Sequence, residues 1–249
     1  MKRLRDPQTG CEWDRVQTFA SIVPYTLEET YEVLDAIARQ DFAELKVELG
    51  DLLYQIIFYA EMADEQGFFH FYDVCQAITD KLIRRHPHIF AGETLPADKQ
   101  WEQRKQQERA EKQQFSVLDD IPHTLPALMR AEKIQKRCAS VGFDWETLGP
   151  VVAKVKEELA EVMAEVNQPV VDQEKVTEEV GDLLFAVVNL SRHLGQKAET
   201  TLQQANQKFE ARFRQVEQII AAQQITMQDA SLAQMEAAWQ QVKAQEKGE

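Results

Sequence analysis

Two sets of four carboxylates, one in each half of the chain, are the residues best suited to chemistry. Glu29, Glu32, Glu48 and Asp51 form the first set, read from EETYE and ELGD; Glu158, Glu161, Glu179 and Asp182 form the second, read from EELAE and EVGD. Each set is two acidic pairs at i,i+3 spacing, and on an α-helix residues three apart lie on one face, roughly 60° apart. Two such helices packed together converge four carboxylates on one spot, where they repel one another unless a cation neutralises them. An all-oxygen donor set suits a hard divalent ion, Mg2+ or Mn2+. A di-iron carboxylate bundle would carry Glu-x-x-His motifs instead, and neither copy has one. Acidic pairs at this spacing also occur on ordinary solvated helix faces. Glu179 and Asp182, however, share a stripe with Ala186, Asn189 and His193 in a segment otherwise rich in Leu, Val and Phe, and a buried polar strip needs partners.

The elements that hold these residues must be helices. The chain has 249 residues, of which 44% are hydrophobic, enough for a core, and its scarce Gly (9) and Pro (8) favour an all-α fold. A repeat with one copy per half favours two domains over one. The net charge of −14 argues against a general affinity for nucleic acid or for an anionic membrane surface. A small anionic substrate stays compatible with it, because a bound metal inverts the local field. With no signal-peptide h-region and no apolar run near 20 residues, a cytoplasmic protein is expected. Cys11, Cys75 and Cys138 are isolated from one another and read as reduced thiols.

Hydrophobic periodicity predicts helices over 26–39, 42–65 and 71–85, with Pro24 standing just ahead of the first. Residues 91–114 are highly charged and read as a solvated helical linker. Helices are then expected over 126–140, 151–167, 173–195, 198–222 and 229–246, with a turn-rich segment over 142–150. The expected division is therefore residues 1–115, an N-terminal domain plus linker, and residues 116–249, a C-terminal domain. The repeat extends past the acids: Gly10-Cys11-Glu12-Trp13-Asp14 matches Gly142-Phe143-Asp144-Trp145-Glu146, and Lys81 and Arg85 match Lys208 and Arg212. A duplicated helical unit accounts for all of this.

On these residues the chain resembles the MazG-family nucleoside triphosphate pyrophosphohydrolases, whose motif is EExxE, a variable gap, then ExxD. Both halves fit it, as Glu28-Glu29-x-x-Glu32 with Glu48-x-x-Asp51 and as Glu157-Glu158-x-x-Glu161 with Glu179-x-x-Asp182. LRDPQTGCEWDRVQTF, RRHPHIF and QKRCASVGFDW also resemble the tandem-domain bacterial members, so the likeness covers almost the whole chain. It implies two tandem domains of the all-α NTP-pyrophosphatase fold, Mg2+ dependence, a homodimer, and broad conversion of (d)NTPs, ATP among them, to the monophosphate and diphosphate. A dUTP- or dCTP-specific pyrophosphatase of the same superfamily is the enzymatic alternative. A helical interaction module with structural Mg2+ sites is the non-enzymatic one.

Hydrolysis of a phosphoanhydride is limited by charge, and divalent ions on Glu158, Glu161, Glu179 and Asp182 would relieve it. Glu157, or a ligand such as Glu158 with a disengaged oxygen, is the candidate acceptor for the water's proton. Aligning the copies places Lys154 opposite Tyr25, Lys175 opposite Glu44, and Asn189 and His193 opposite Phe58 and Met62. The first half thus lacks two cations and the polar strip, so the second half is expected to work and the first to be weak, silent or regulatory. Lys154, Lys175, Lys208 and Arg212 are the phosphate candidates, and Asn189 is a base or ribose candidate. The resemblance adds Trp239 as a nucleotide contact. His193 reads as an ordinary satisfied polar residue, and His86 and His88, flanking Pro87, read as structural.

Overall fold

The computed structural model describes residues 1–91 and 115–246. Every regular element among them is helical. The chain divides into two compact units, Met1–Gln106 and Gln107–Glu249. The expected helical linker over 91–114 falls almost wholly outside the described residues.

The first unit contains α1 (Phe19–Ala38), α2 (Phe42–Glu65), α3 (Phe71–Arg85) and the short α4 (Pro87–Phe90). Helix α1 begins about two turns before the sequence predicts, and Pro24 lies inside it. A capping box explains the early start: Thr18 Oγ1 accepts the Ser21 N–H and Ser21 Oγ accepts the Thr18 N–H at 2.8 Å. That gain offsets the single backbone hydrogen bond a proline removes near a helix start. Asp41 caps α2 through the Glu44 N–H at 3.0 Å, so α1 and α2 form a tight helical hairpin. Ile22, Phe58 and Met62 make its core, with Phe19, Tyr54 and Tyr59 packed around them.

The second unit contains α5 (Ala127–Ala139), α6 (Leu148–Val166), α7 (Gln173–His193), α8 (Ala198–Ala222) and α9 (Leu232–Glu246). Helix α6 starts earlier than the turn signals of 142–150 suggest. Pro150 falls in its first turn, where the missing N–H costs nothing. Asp172 caps α7, and α6 and α7 repeat the hairpin of the first unit. Helices α8 and α9 form a separate pair around Val216, Ile220, Ala238 and Val242. None of the described helices is long and apolar enough to cross a membrane.

Both hairpins leave apolar stripes uncovered. Leu49, Leu53 and Ile56 are exposed on α2, and Val180, Leu184 and Val187 on α7. Gly50 and Gly181 sit beside these stripes in mid-helix, and a methyl group added at either would meet nothing within 4 Å.

Candidate active site

Each hairpin brings acids together because each of its two helices contributes one i,i+3 pair to a shared face. In the second unit Glu158 of α6 and Glu179 and Asp182 of α7 each present an oxygen within 4.8 Å of the others. Glu158 is buried, at 5% exposure. Glu161 lies outside this trio but close to it: burial first, then the Glu158 charge, raises its carboxyl above the usual range. Glu179 is raised in the same way, by burial and then by the charges of Glu161 and Asp182. An oxygen-only cluster in which Glu161 and Glu179 resist ionisation fits a hard divalent cation.

Lys154, one turn before Glu158 on α6, places Nζ 2.6 Å from Glu158 Oε1 and 2.8 Å from Glu157 Oε1. Those two hydrogen bonds raise its ammonium pKa, so it is firmly cationic. Lys154, Glu158 and Asp182 border a cavity of about 640 Å³. Its apolar lining comes from Ile134, Phe143, Trp145, Phe185 and Ala186, and its other polar lining includes Asp144, Asn189 and Arg192. An acidic, metal-competent patch beside aromatic walls is the expected shape for a phosphate chain joined to a flat base.

Arg192, Asp144 and Gln135 belong to this site although sequence reasoning passed them over. Arg192 donates to Asp144 Oδ1 at 2.6 Å and twice to Asn189 Oδ1, at 2.8 and 3.0 Å. His193 Nε2 lies 2.9 Å from the same Asp144 oxygen. These donors, Arg192 first, hold the Asp144 carboxyl down at about 2. Gln135 Nε2 donates to the Phe185 carbonyl at 2.8 Å and ties α5 to α7. The available signals were Arg192 standing three residues after Asn189 and Asp144 lying inside the repeated Gly-Phe-Asp-Trp-Glu segment.

The other predicted contacts stand apart from the cavity. Lys175 is in the first turn of α7, where its N–H is capped by Asp172, and its side chain does not line the cavity. Lys208, Arg212 and Trp239 belong to the α8–α9 pair. Arg212 Nε donates to Glu246 at 2.9 Å, its guanidinium lies 5.9 Å from the Trp239 ring centroid, and Trp239 packs on Phe209 at 5.1 Å. A single chain therefore joins Lys154, Glu157, Glu158, Glu161, Glu179, Asp182 and Asn189 in one place. It holds Lys208, Arg212 and Trp239 on another pair of helices, and Lys175 at the start of α7, off the cavity.

The first unit repeats the acids but not their surroundings. Glu29, Glu48 and Asp51 also present oxygens within 4.8 Å of one another. Burial, then Glu44, pushes the Glu48 carboxyl up to about 7, with Glu32 adding to it. Gln55 Nε2 donates to Glu29 at 3.3 Å. Tyr25, in the place of Lys154, meets Trp13 edge-on at 5.4 Å, and Trp13 in turn lies 6.3 Å from Phe58. Phe58 and Met62 are fully buried at the positions of Asn189 and His193. Aromatic packing thus replaces the polar strip in this copy. Among the described residues no metal-competent group includes His86 or His88; His86 Nδ1 lies 2.8 Å from the Leu82 carbonyl at the end of α3. All three cysteines are free.

The model of the MazG nucleotide pyrophosphohydrolase domain matches the chain twice, over residues 17–90 and 146–217, one match on each hairpin. The chain is similar to a nucleoside triphosphate pyrophosphohydrolase of Escherichia coli strain K12, with 65% identity over 99% of this chain and 95% of that protein. It is similar to a nucleoside triphosphate pyrophosphohydrolase/pyrophosphatase of Thermotoga maritima at 40% identity, over 98% of this chain and 92% of that one. A Mycobacterium tuberculosis nucleoside triphosphate pyrophosphohydrolase aligns at 39% identity over 57% of this chain and 44% of its own length.

Proposed function

Since the chain belongs to the MazG nucleotide pyrophosphohydrolase family, and is thereby an enzyme that cleaves phosphoanhydride bonds of nucleoside triphosphates, we propose where and how it does so. The reaction takes NTP and water to NMP and diphosphate, over a broad range of ribo- and deoxyribonucleotides. Residues 116–249 form the catalytic domain. Residues 1–115, with the linker, form a copy that keeps the acids but has little or no turnover.

The observation that carries this reading is the junction of a carboxylate trio, Lys154 and a roomy polar-ended cavity in the second unit, where the first unit has Tyr25 in place of Lys154 beside its own trio. Glu158, Glu161, Glu179 and Asp182 hold Mg2+, with Mn2+ an acceptable substitute; such an ion, when bound, neutralises phosphate oxygens and acidifies a water. Lys154 is within reach of the same phosphates once it lets go of Glu158. Glu157, on the solvent side of Lys154, or a tetrad oxygen left unengaged, takes the water's proton. Rigid helices on both sides keep the donors in place during the reaction.

The active form is a homodimer. The stripes of Val180, Leu184 and Val187 on α7 and of Leu159, Met163 and Val166 on α6 call for a partner surface, and a second copy supplies an identical one. Such pairing also gives Lys175, Lys208, Arg212 and Trp239 a route to nucleotide that the single chain does not offer. Product analysis over the eight common NTPs and dNTPs with Mg2+ tests the reaction. NMP with diphosphate is expected from most of the panel. NDP with phosphate would refute the reaction class, and turnover of dUTP or dCTP alone would refute the breadth.

A further inference from the structure

The cavity's polar end has a clamp that the hydrolysis reading does not use. Arg192 sends two N–H groups to Asn189 Oδ1, at 2.8 and 3.0 Å, and a third contact to Asp144 Oδ1 at 2.6 Å. A guanidinium only donates, so the Asn189 carbonyl must face Arg192 and the amide NH2 must face elsewhere. Asn189 is 9% exposed, and Asn189, Arg192 and Asp144 all line the cavity. Asn189 stands seven residues beyond Asp182 on α7, which at 1.5 Å per residue is roughly 10 Å from the acidic end. A nucleotide whose phosphates lie at that end brings its sugar or base to this distance.

The duplicated half offers an internal comparison. Aligning the copies sets Glu61 opposite Arg192, Phe58 opposite Asn189 and Glu12 opposite Asp144. Every member of the clamp is replaced in the unit that lacks the polar strip, and the place of the amide is filled by a fully buried ring. The acids persist in both copies, so the clamp is separable from the acid scaffold.

Resting on the proposed hydrolysis, we infer that Arg192, braced by Asp144, is a positioning residue that locks the Asn189 amide with its NH2 toward the nucleoside, so that this end of the cavity selects a hydrogen-bond acceptor. The acceptor is a sugar oxygen or a base carbonyl or ring nitrogen. Arg192 itself acts through Asn189. His193, 2.9 Å from both Asp144 Oδ1 and the Arg192 guanidinium, completes the brace.

A double-mutant cycle in the full chain tests this, using ATP, GTP, CTP, UTP and their deoxy forms with Mg2+. R192M should raise KM about tenfold with kcat within about twofold, and in an N189A background it should add less than about twofold. Equal effects in both backgrounds, or an unchanged KM, would overturn the inference. If R192M does not fold by circular dichroism, D144N carries the same cycle, with a KM rise of about threefold that vanishes in N189A. N189D sets the polarity: its second oxygen faces an acceptor, so it should bind worse than N189A, and equal or better binding overturns the donor assignment. A KM effect lost with the deoxynucleotides assigns the contact to the ribose 2′ oxygen, and one kept there assigns it to the rest of the nucleoside. If wild-type protein releases no diphosphate from any nucleotide, the hydrolysis reading fails instead. The cycle is then read from the dissociation constants of the four nucleoside monophosphates, with the same outcomes deciding it.

Discussion

Lys154 Nζ sits 2.6 Å from Glu158 Oε1, one helical turn away, so a cation lining the cavity is bonded to a carboxylate of the metal-competent trio. The pair makes Lys154 both a stand-in for the ion and a competitor with it. K154M should therefore have opposite effects on two measurements. Mn2+ binding without nucleotide, followed by electron paramagnetic resonance, should tighten several-fold, while kcat/KM for NTP should fall about 10- to 100-fold for lack of a phosphate partner. A parallel loss of both would assign Lys154 to holding the metal site together.

Substituting the acids should separate the two copies. E158Q and D182N keep volume and remove charge, and each should lower kcat/KM at least ~100-fold with the thermal midpoint unchanged or raised. E29Q and D51N should leave turnover within about twofold. A large loss from the first-unit pair would assign catalytic work to the N-terminal half.

Alkali should act on the first unit through Tyr54. Its hydroxyl donates to Asp14 Oδ1 at 2.9 Å, and burial, followed by that bond, pushes its pKa from 10.0 up to about 12. Because the folded value lies above the unfolded one, the contribution to stability is complete below pH 10 and is lost as pH rises through about 12. Absorbance at 295 nm should show one tyrosine ionising late, and Y54F should remove that step and flatten the alkaline fall in thermal midpoint.

Gly10 closes the loop ahead of α1. A methyl group there would stand no more than 2.7 Å from backbone atoms of Leu4 and Asp6, which cannot give way without moving the chain. G10A should cost about 1–3 kcal/mol of first-unit stability, seen as a lower denaturation midpoint, and leave NTP turnover at permissive temperature intact.

The acid scaffold was legible in the sequence because i,i+3 spacing fixes a shared helix face whatever the tertiary structure. The divergence of the first copy was legible too, since Tyr25, Phe58 and Met62 stand where Lys154, Asn189 and His193 stand in the second. Helix starts were less so. Pro24 reads as a boundary, but the Thr18–Ser21 box, with a serine in place of the more familiar Glu or Gln, starts the helix before it. The Asp144–Arg192 pairing was not legible, although each residue had a local signal: the two are 48 residues apart and meet only through the packing of the 140–147 segment on α7. Lys208, Arg212 and Trp239 show the converse. Their chemistry is plain in the sequence, whereas their distance from the cavity depends on how α8 and α9 pack.

The two mid-helix glycines have a consequence of their own. Gly50 and Gly181 each cost their helix about 0.5–1 kcal/mol relative to alanine, and among the described residues no atom lies close enough to need the missing methyl. Both stand beside an uncovered apolar stripe, next to the last acid of their tetrad. In the proposed dimer the same weak point in two diverged copies would leave room for a close-fitting neighbour, a quaternary contact written as a local defect. By that logic a single methyl at Gly181 should make the lone subunit sturdier and the assembled enzyme weaker, and the concentration at which subunits part would register the difference.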